Sequence, residues 1–172
     1  MILPDSGERR QFDSGAVRDI AQGKGRCDLM PLGVIGEWMG HECLVYINEY
    51  LYKGELNHLW DAFKRFLMCR DHDTYTALLE VAKHFEDGAV KYGDRNWEKG
   101  IPVHCYIDSA VRHYLKYYRG DKDEPHDRAF MWNILCAIWT HMNHPELIDI
   151  PAKKVIKKEQ EGYGRNTCTS NT

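Results

Sequence analysis

Apolar residues recur at every third or fourth position through most of this chain, which is the spacing of one buried face of an α-helix. The pattern predicts long helices at about 76–92, 104–118 and 125–143, and it gives three shorter apolar stripes between 32 and 68. No stretch of the sequence alternates apolar and polar residues as a half-buried strand does. We therefore predict an all-α fold, a helical bundle.

Each predicted helix has a predicted buried face. The faces are Val34, Ile35, Trp38 and Met39 in the first short stripe, Leu78, Ala82, Phe85, Ala89 and Tyr92 at 76–92, Ile107, Val111, Tyr114 and Tyr118 at 104–118, and Phe130, Ile134, Ile138 and Met142 at 125–143.

Residues 1–32 lack such a face and are rich in glycine and charge, so we predict an irregular N-terminal arm. The arm is either a binding loop or a solvated tail. Residues 1–150 are predicted to form a single domain, and 151–172 a polar C-terminal tail.

Charge and composition exclude several classes of protein. The net charge of −3 is unlike the basic balance of proteins that neutralise many phosphates, so we expect no nucleic-acid partner. The sequence has no run of about 18 apolar residues and no secretory signal at 1–11, so we expect a cytoplasmic protein without a membrane partner. The six cysteines show no CxxC pair, and we expect them to be reduced.

Acidic and imidazole side chains lie beside the apolar stripes of all three long helices. Glu86 is in the first, Asp108 in the second, and Asp123, His126 and Asn133 are at or after the start of the third. Acids at a helix start often serve only as caps, and a single histidine is more often structural than a ligand. Their combination on three helices costs desolvation energy unless they converge on a cation. Carboxylates suit Mg²⁺ or Mn²⁺, ions that bridge phosphate oxygens and activate water.

Three blocks of the sequence resemble a known family. They are FDSGAVRDIAQGKGRCDLMP (12–31), LLEVAKHFEDGAVKYGDRNWEKGIP (78–102) and YIDSAVRHYLKYYRGDKDEPHDRAFMWNILCAIWT (106–140). Together they are similar to the phage-type dATP/dGTP diphosphohydrolase domain, a group related to the all-α, MazG-like nucleotide pyrophosphatases. Residues 36–76 fall outside the similarity and look like an insertion of extra helices.

The resemblance implies a MazG-like bundle that cleaves a purine deoxynucleoside triphosphate between its α- and β-phosphates, with Mg²⁺ or Mn²⁺ as cofactor, in the cytoplasm of a phage host. The implied metal ligands are Glu86, Asp108, Asp123 and His126, of which Glu86 and Asp108 are also the implied catalytic residues. The implied substrate contacts are Lys24, Arg26, Lys91 and Arg95 for the triphosphate, with Asn96 and Trp97 for the base or sugar.

The sequence departs from the MazG-like pattern in one respect, and two other functions stay open. It has no EExxE helix, and its one ExxD is Glu124–Asp127, at a helix start. An HD-type dNTP phosphohydrolase would use a His-Asp pair, and the chain offers His126-Asp127 and His72-Asp73. A non-catalytic phage regulatory or interaction protein would show no metal dependence. Products of a dNTP assay separate the three.

Three further expectations concern behaviour in solution. Glu86→Gln and Asp108→Asn are each expected to abolish turnover and leave the fold intact. The arm is expected to close on the triphosphate, so that deleting residues 1–30 raises KM or abolishes activity. The aromatic-rich helices of 34–68 are expected to contribute to the interface of a homo-oligomer, with internal packing of these aromatics as the alternative.

Overall fold

The computed structural model describes residues 7–69 and 73–152, and it is an all-α fold with one small hairpin. The six helices are α1 (Leu32–Met39), α2 (Glu42–Lys53), α3 (Asn57–Met68), α4 (Thr74–Tyr92), α5 (Val103–Arg119) and α6 (His126–Asn143). Short 3₁₀ turns lie at Cys27–Leu29, Asn96–Lys99 and Pro145–Leu147. The three long helices therefore lie where the apolar periodicity predicts them.

The long helices begin and end at residues whose chemistry favours those positions. The Asp73 carboxylate caps α4 by accepting from the backbone N–H groups of Tyr75 and Thr76, at 3.0 and 3.1 Å. Gly120 ends α5 with a φ of 86°, in the left-handed region that side chains other than glycine rarely adopt. Pro125 comes directly before α6, where its missing N–H costs nothing because that donor has no helical partner.

A single hydrophobic core joins the short helices to the long ones. Its largest fully buried side chains are aromatic and come from α2, α3, α5 and α6: Tyr50, Phe66, Tyr106, Tyr114 and Phe130. The antiparallel pair α5 and α6 forms the centre of the bundle, and the other helices pack around it. The pair is joined by the short connection 120–125, and both helices carry polar side chains on the part that faces away from α2 and α3.

The predicted face of the first short stripe is wrong. In α1, Val34 and Trp38 are 72% and 85% exposed, and the buried positions are Leu32 and Gly36. A Cβ on Gly36 would lie 2.9 Å from a methyl carbon of Val45 in α2. The two helices touch through their backbones at this glycine. The buried face of α1 is therefore marked by a small residue, and a prediction based on the spacing of apolar residues puts that face in the wrong place.

The predicted face of α4 is also wrong, by one residue. The structure buries Ala77, Val81 and His84, whereas Leu78 is 41% exposed. The buried face contains a histidine, which periodicity counted on apolar residues alone does not include. On α5 and α6 the predicted faces are confirmed apart from their last members, since Tyr118 and Met142 are exposed.

The N-terminal arm contains two short strands that the sequence pattern does not indicate. Strands β1 (Arg9–Gln11) and β2 (Val17–Asp19) form an antiparallel hairpin, with Arg10 opposite Arg18. Ala16 in its turn is fully buried in the core. The hairpin thus lies on the bundle, which excludes the solvated tail for this part of the arm. Two strands of three residues are too short for alternation to be read from the sequence.

Three smaller predictions meet the structure as follows. Of the cysteines, Cys27, Cys43, Cys69, Cys105 and Cys136 are free, and Cys168 lies outside the described residues. His72 and most of the predicted C-terminal tail also lie outside them. Within the described part of the chain, no helix is both long and apolar enough to span a membrane.

Candidate functional site

A cavity of about 740 Å³ lies between the hairpin, α4, α5, α6 and the turn after α4. Arginine and lysine side chains line much of it, and aromatic rings line the rest, among them Phe85, Trp97 and Trp132. A space of this size accommodates a nucleotide, and its mixed lining of cations and rings fits phosphate and base respectively. Both the hairpin and the paired helices α5 and α6 are needed to enclose it.

Three donor atoms meet at one side of this cavity. His113 Nδ1 on α5 lies 3.0 Å from His126 Nδ1 on α6, and the Glu124 carboxylate lies 3.4 Å from the first and 3.5 Å from the second. The His126 side chain is 1% exposed, while those of His113 and Glu124 are 16% and 18% exposed. The antiparallel packing of α5 on α6 brings these residues together, because one comes from the last turns of α5 and the others from the start of α6.

Asp123 holds His126 from the side opposite to this meeting point. Its carboxylate lies 2.8 Å from His126 Nε2, and the Lys116 ammonium donates to its other oxygen at 2.8 Å. The hydrogen bond between His126 and Asp123 places a ring proton of His126 on Nε2. The lone pair of Nδ1 is then directed at His113 and Glu124. These two hydrogen bonds, the first of them from Lys116, hold the pKa of the Asp123 carboxyl well below its usual range.

Burial governs the protonation of the other two residues. Burial, with the nearby His126, places the pKa of His113 well below its ordinary value of 6.5, so its imidazole is neutral at pH 7. Burial raises the pKa of Glu124, against the opposing effect of the neighbouring His126 and Lys116. A neutral imidazole and a carboxylate are the forms in which these side chains bind a metal ion.

Most of the basic side chains around the cavity are already paired with carboxylates. Arg95 binds Glu98 at 2.7 Å and Lys91 binds Asp19 at 2.7 Å, and outside the lining Arg26 binds Asp28 at 2.6 Å. The three exceptions are Arg10, Arg18 and Lys24, all from the N-terminal arm. Within residues 7–69 and 73–152, no carboxylate lies at ion-pair distance from any of them.

Arg18 extends from β2 into the groove between α5 and α6. One of its terminal nitrogens donates to the Ser109 hydroxyl at 3.1 Å and to the Asn133 side-chain oxygen at 2.9 Å. The guanidinium lies 5.0 Å from the ring centre of Tyr106 and 5.8 Å from that of Trp132. Its other terminal nitrogen is buried without a partner, so the site holds a cation that the described protein atoms do not neutralise.

Lys24 lies on the loop after β2, where cations outnumber acids. Partial burial lowers the pKa of its amine; Asp19 opposes this effect, and Arg112, Lys91 and Arg18 lower the pKa further. The same lysine lies close enough to Glu124 to lower the pKa of that carboxyl. Lys24 therefore joins the cationic lining to the cluster of His113, His126 and Glu124. A polyanion bound in the cavity would relieve the repulsion among these cations.

The predicted metal ligands fall into two sets. Asp123 and His126 come together, with Asp121 near them. Glu86 is exposed on α4 and lines the cavity, so the desolvation cost expected of it does not arise. Asp108 is buried and accepts from the Cys27 backbone N–H at 2.7 Å and from Arg112. Within the described residues, neither Glu86 nor Asp108 belongs to a group of potential ligands that converge.

The predicted base or sugar contacts line the cavity but already have protein partners. Asn96 is buried, and its side-chain amide binds the backbone of Val17 at 2.9 and 2.8 Å, which fastens the hairpin to the bundle. Trp97 packs with its ring edge-on to Phe85 and Trp139, at centroid distances of 5.5 and 5.0 Å. Both residues shape the cavity wall.

Sequence reasoning notes His113, Glu124 and Arg18 as polar residues but does not assign them as ligands or substrate contacts, and the structure places all three at the site. One signal for the first two was available. His113 lies one turn after Ser109 on α5, Glu124 comes just before α6 and His126 is its first residue, so antiparallel packing of the two helices would bring them to the same end. Arg18 had no such signal, because the path of an irregular arm does not follow from helical periodicity.

Comparison with known proteins gives one match. Residues 66–150 match a family described as dATP/dGTP diphosphohydrolase, N-terminal. The matched segment contains α4, α5 and α6 with the turn between α4 and α5, and therefore the cluster of His113, His126 and Glu124. The hairpin with Arg18 and Lys24 and helices α1 and α2 lie before it. Neither the curated proteins nor the solved structures contain a match.

Proposed function

We propose that this chain, whose residues 66–150 match the dATP/dGTP diphosphohydrolase N-terminal family, hydrolyses purine deoxynucleoside triphosphates to the monophosphate and pyrophosphate. The family name describes a hydrolase; dependence on a metal ion, the purine deoxynucleotide substrate and the products are parts of our proposal. From the resemblance seen in sequence, the proposal includes a MazG-like bundle and a role in balancing deoxynucleotides during phage replication.

One observation carries the proposal: the cavity joins a cluster of metal-binding side chains to cations that have no carboxylate partner. His113, His126 and Glu124 lie at its side, and Arg18 and Lys24 lie within its lining. A nucleoside triphosphate needs both, because its phosphates carry several negative charges and are usually bound together with a divalent ion. The aromatic lining next to the cations gives a surface on which a purine can stack.

The proposed reaction adds water across one phosphoanhydride bond. The bond between the α- and β-phosphates breaks, the water oxygen joins phosphorus, pyrophosphate leaves, and the proton of the water passes to solvent. A metal ion held by His113, His126 and Glu124 would polarise a phosphate oxygen and lower the pKa of a bound water. Lys24 would contact the phosphates from the arm. Asp123 would act through His126 by holding its ring in place.

Asp108 fits a positioning role in this proposal. It is buried, binds Arg112 on the next turn of α5, and accepts from the backbone of Cys27. Arg112 in turn donates to the carbonyl oxygens of Lys24 and Gly25, at 3.2 Å each. This chain of contacts fixes the loop that carries Lys24 over the cavity. Loss of Asp108 would therefore move a phosphate contact as well as weaken the fold.

An HD-type phosphohydrolase is the second candidate, and the two imidazoles in the cluster favour it. That class would release tripolyphosphate or orthophosphate from the same substrates. An HD-type enzyme would bind its metal with a His-Asp pair such as His126-Asp127. Within the described residues, however, the carboxylates that converge on His126 are those of Asp121, Asp123 and Glu124. We rank it second for this reason.

Product analysis tests the proposal. The full chain is incubated with dATP, dGTP, dCTP and dTTP in turn, with Mg²⁺ or Mn²⁺ and with a chelator, and the products are separated by ion exchange. We expect monophosphate and pyrophosphate from dATP or dGTP, only when metal is present. Tripolyphosphate would favour the HD-type reading, and no turnover of any nucleotide would favour a non-catalytic protein.

A further inference from the structure

We propose that His113, His126 and Glu124 form a binding site for one transition-metal ion of the Mn²⁺, Fe²⁺, Co²⁺ or Zn²⁺ class, and that Mg²⁺ is a poor occupant. This inference deepens the proposed function, because it names the cofactor of the same site. It stands on the geometry and chemistry of the three side chains, none of which depends on the identity of the nucleotide.

The donor set selects the class of ion. Two of the three donors are imidazole nitrogens and one is a carboxylate oxygen. Imidazole binds Zn²⁺, Co²⁺, Fe²⁺ and Mn²⁺ well, whereas Mg²⁺ prefers oxygen ligands and retains several waters. A site intended for Mg²⁺ would present carboxylates at the positions of His113 and His126.

The spacing of the donors is that of ligands around one ion. Metal–ligand bonds of about 2.1 Å place neighbouring ligands about 3.0 Å apart at octahedral angles and about 3.4 Å apart at tetrahedral angles. The three separations here are 3.0, 3.4 and 3.5 Å. A hydrogen bond between the two imidazoles would account for the shortest of them, but it would not bring the carboxylate of Glu124 equally close to both rings.

Asp123 supplies the outer interaction that metal-binding histidines usually have. It accepts from His126 Nε2 at 2.8 Å, which leaves the Nδ1 lone pair of His126 facing the other two donors. Lys116 holds the second oxygen of Asp123. The ring of His126 is therefore fixed before any ion binds, and this lowers the entropy lost on binding.

One side of the site is open. His113, Glu124 and Asp123 line the cavity that also contains Lys24 and Arg18. Three protein donors leave at least one coordination position for water or a phosphate oxygen on that side, which is the arrangement of catalytic rather than structural metal sites. Lys24 and Glu124 line this same cavity, so a phosphate bound to the ion would share the cavity with the lysine.

Cobalt spectroscopy on the full chain tests the inference without any nucleotide. The protein is freed of metal with a chelator and titrated with Co²⁺, whose visible absorption bands report nitrogen and oxygen ligands. We expect saturation at one equivalent, and we expect a hundredfold excess of Mg²⁺ to leave the bands unchanged. A titration with no visible bands would overturn the inference, as would displacement of Co²⁺ by equimolar Mg²⁺.

Variants locate the ion. His126→Gln and Glu124→Gln should each abolish the bands or weaken binding at least a hundredfold, and Asp123→Asn, which keeps all three ligands, should weaken it about 10- to 100-fold. His58→Gln is the matched control, because His58 also lies beside a glutamate, Glu55 at 3.5 Å, and belongs neither to the cluster nor to the cavity lining. Unchanged binding in Glu124→Gln, which keeps the size and shape of the side chain, would contradict the site.

The result separates this inference from the proposed function. If Co²⁺ binds as expected but no dNTP is hydrolysed with any metal, the site stands and the function fails. If dNTPs are hydrolysed but binding is indifferent to His126→Gln and Glu124→Gln, the function stands and the site is wrong. Circular dichroism of each variant confirms that its helices are intact before either conclusion is drawn.

Discussion

Lys24 and Asp108 illustrate two different roles for charged residues at one site. Lys24 is exposed, has no carboxylate at ion-pair distance in the described part of the chain, and faces a cavity rich in cations. Asp108 is 4% exposed, forms an ion pair with Arg112 and accepts a hydrogen bond from a backbone N–H. The first arrangement suits a ligand contact, and the second suits a residue that holds the site together.

Replacing Lys24 tests its role as a phosphate contact. We expect Lys24→Met to raise KM for the dNTP about 10- to 100-fold with little change in kcat, since a charge-assisted hydrogen bond contributes about 1.5–3 kcal/mol. Lys64→Met on α3 is the control and should leave KM unchanged, since Lys64 is exposed and does not line the cavity. Steady-state kinetics on both variants decides the matter, and an unaltered KM for Lys24→Met would remove this lysine from the substrate contacts.

Replacing Asp108 tests its role in the fold. Asp108→Asn should lower the free energy of unfolding by about 1–3 kcal/mol, because the partly buried Arg112 loses its counter-charge. This differs from the expectation drawn from sequence, in which the variant loses activity with the fold unaffected. Urea denaturation of this variant and of Asp61→Asn, an exposed acid on α3, gives the comparison. Equal stability of Asp108→Asn and the wild type would show that the Arg112 contact is dispensable.

At the scale of single residues, sequence reasoning succeeds where the partner lies on a predicted helix. Asp123 and His126 are brought together, because Asp123 comes just before α6 and His126 is its first residue. Such reasoning does not give the exposure of Glu86, which depends on which face of α4 packs, or the partner of Asn96, whose amide binds a hairpin that has no sequence signal. Partners contributed by an irregular segment are set by tertiary contacts alone.

At the scale of elements, apolar periodicity gives the positions of the helices but not always their faces. It predicts the centres of the α5 and α6 faces correctly, because both helices are largely enclosed by neighbours. Helices α1 and α4 pack on fewer neighbours, and their exposed sides keep apolar residues such as Trp38, Leu79 and Val90, which are 85%, 68% and 85% exposed. On such helices a small residue or a histidine marks the buried face instead.

The end of the described chain is held to the start of α5 by a pair that depends on pH. Asp149 accepts from the backbone N–H of His104 at 3.0 Å and also binds its ring. The hydrogen bond to Asp149 raises the pKa of His104 to about 10, above its ordinary 6.5, and contacts with His104 lower the pKa of Asp149 below 3.8 against the effect of burial. The segment after the last 3₁₀ turn, with fully buried Ile150, depends on this pair.

The pH dependence of stability tests the pair. The contribution of His104 is complete below about pH 6.5 and is lost as the pH rises towards 10, and that of Asp149 is lost as the pH falls below about 4. We therefore expect the difference in thermal midpoint between wild type and His104→Asn to be largest between pH 4 and 6.5 and to shrink steadily up to pH 10. A difference that stays constant from pH 6 to 10 would show that the pair carries no charge-dependent stability.

At the scale of the whole molecule, the all-α class follows from the sequence, whereas the enclosure of the cavity does not. The bundle alone would leave the groove between α5 and α6 open on one side. The arm closes it by placing Ala16 in the core and Arg18 in the groove, while Asn96 binds the backbone of Val17. A short polar segment reveals none of these contacts by periodicity, because each depends on where the bundle already lies.

Homo-oligomer formation stays a prediction, and the structure refines the surface on which it depends. Of the aromatics in 34–68, Tyr50, Phe63 and Phe66 are buried in the core, while Trp38 and Tyr52 are 85% and 62% exposed. We expect a dimer near 40 kDa or a pair of dimers near 80 kDa, two or four times the chain mass of 20.1 kDa, in light scattering behind a sizing column at tens of micromolar protein. Trp38→Lys should shift it towards monomer if α1 contributes, and a wild-type mass near 20 kDa would exclude the oligomer.

The central claim is that this chain splits a purine dNTP between its α- and β-phosphates at the cavity beside His113, His126 and Glu124. The most direct measurement is a ³¹P NMR time course of dGTP and of dATP with the full chain and Mn²⁺ at catalytic concentration, run beside the Glu124→Gln variant. We predict that the wild type releases monophosphate and pyrophosphate in equal amounts and that the variant leaves the triphosphate intact. Release of tripolyphosphate, an unchanged triphosphate spectrum for the wild type, or equal rates for the two proteins would contradict the account.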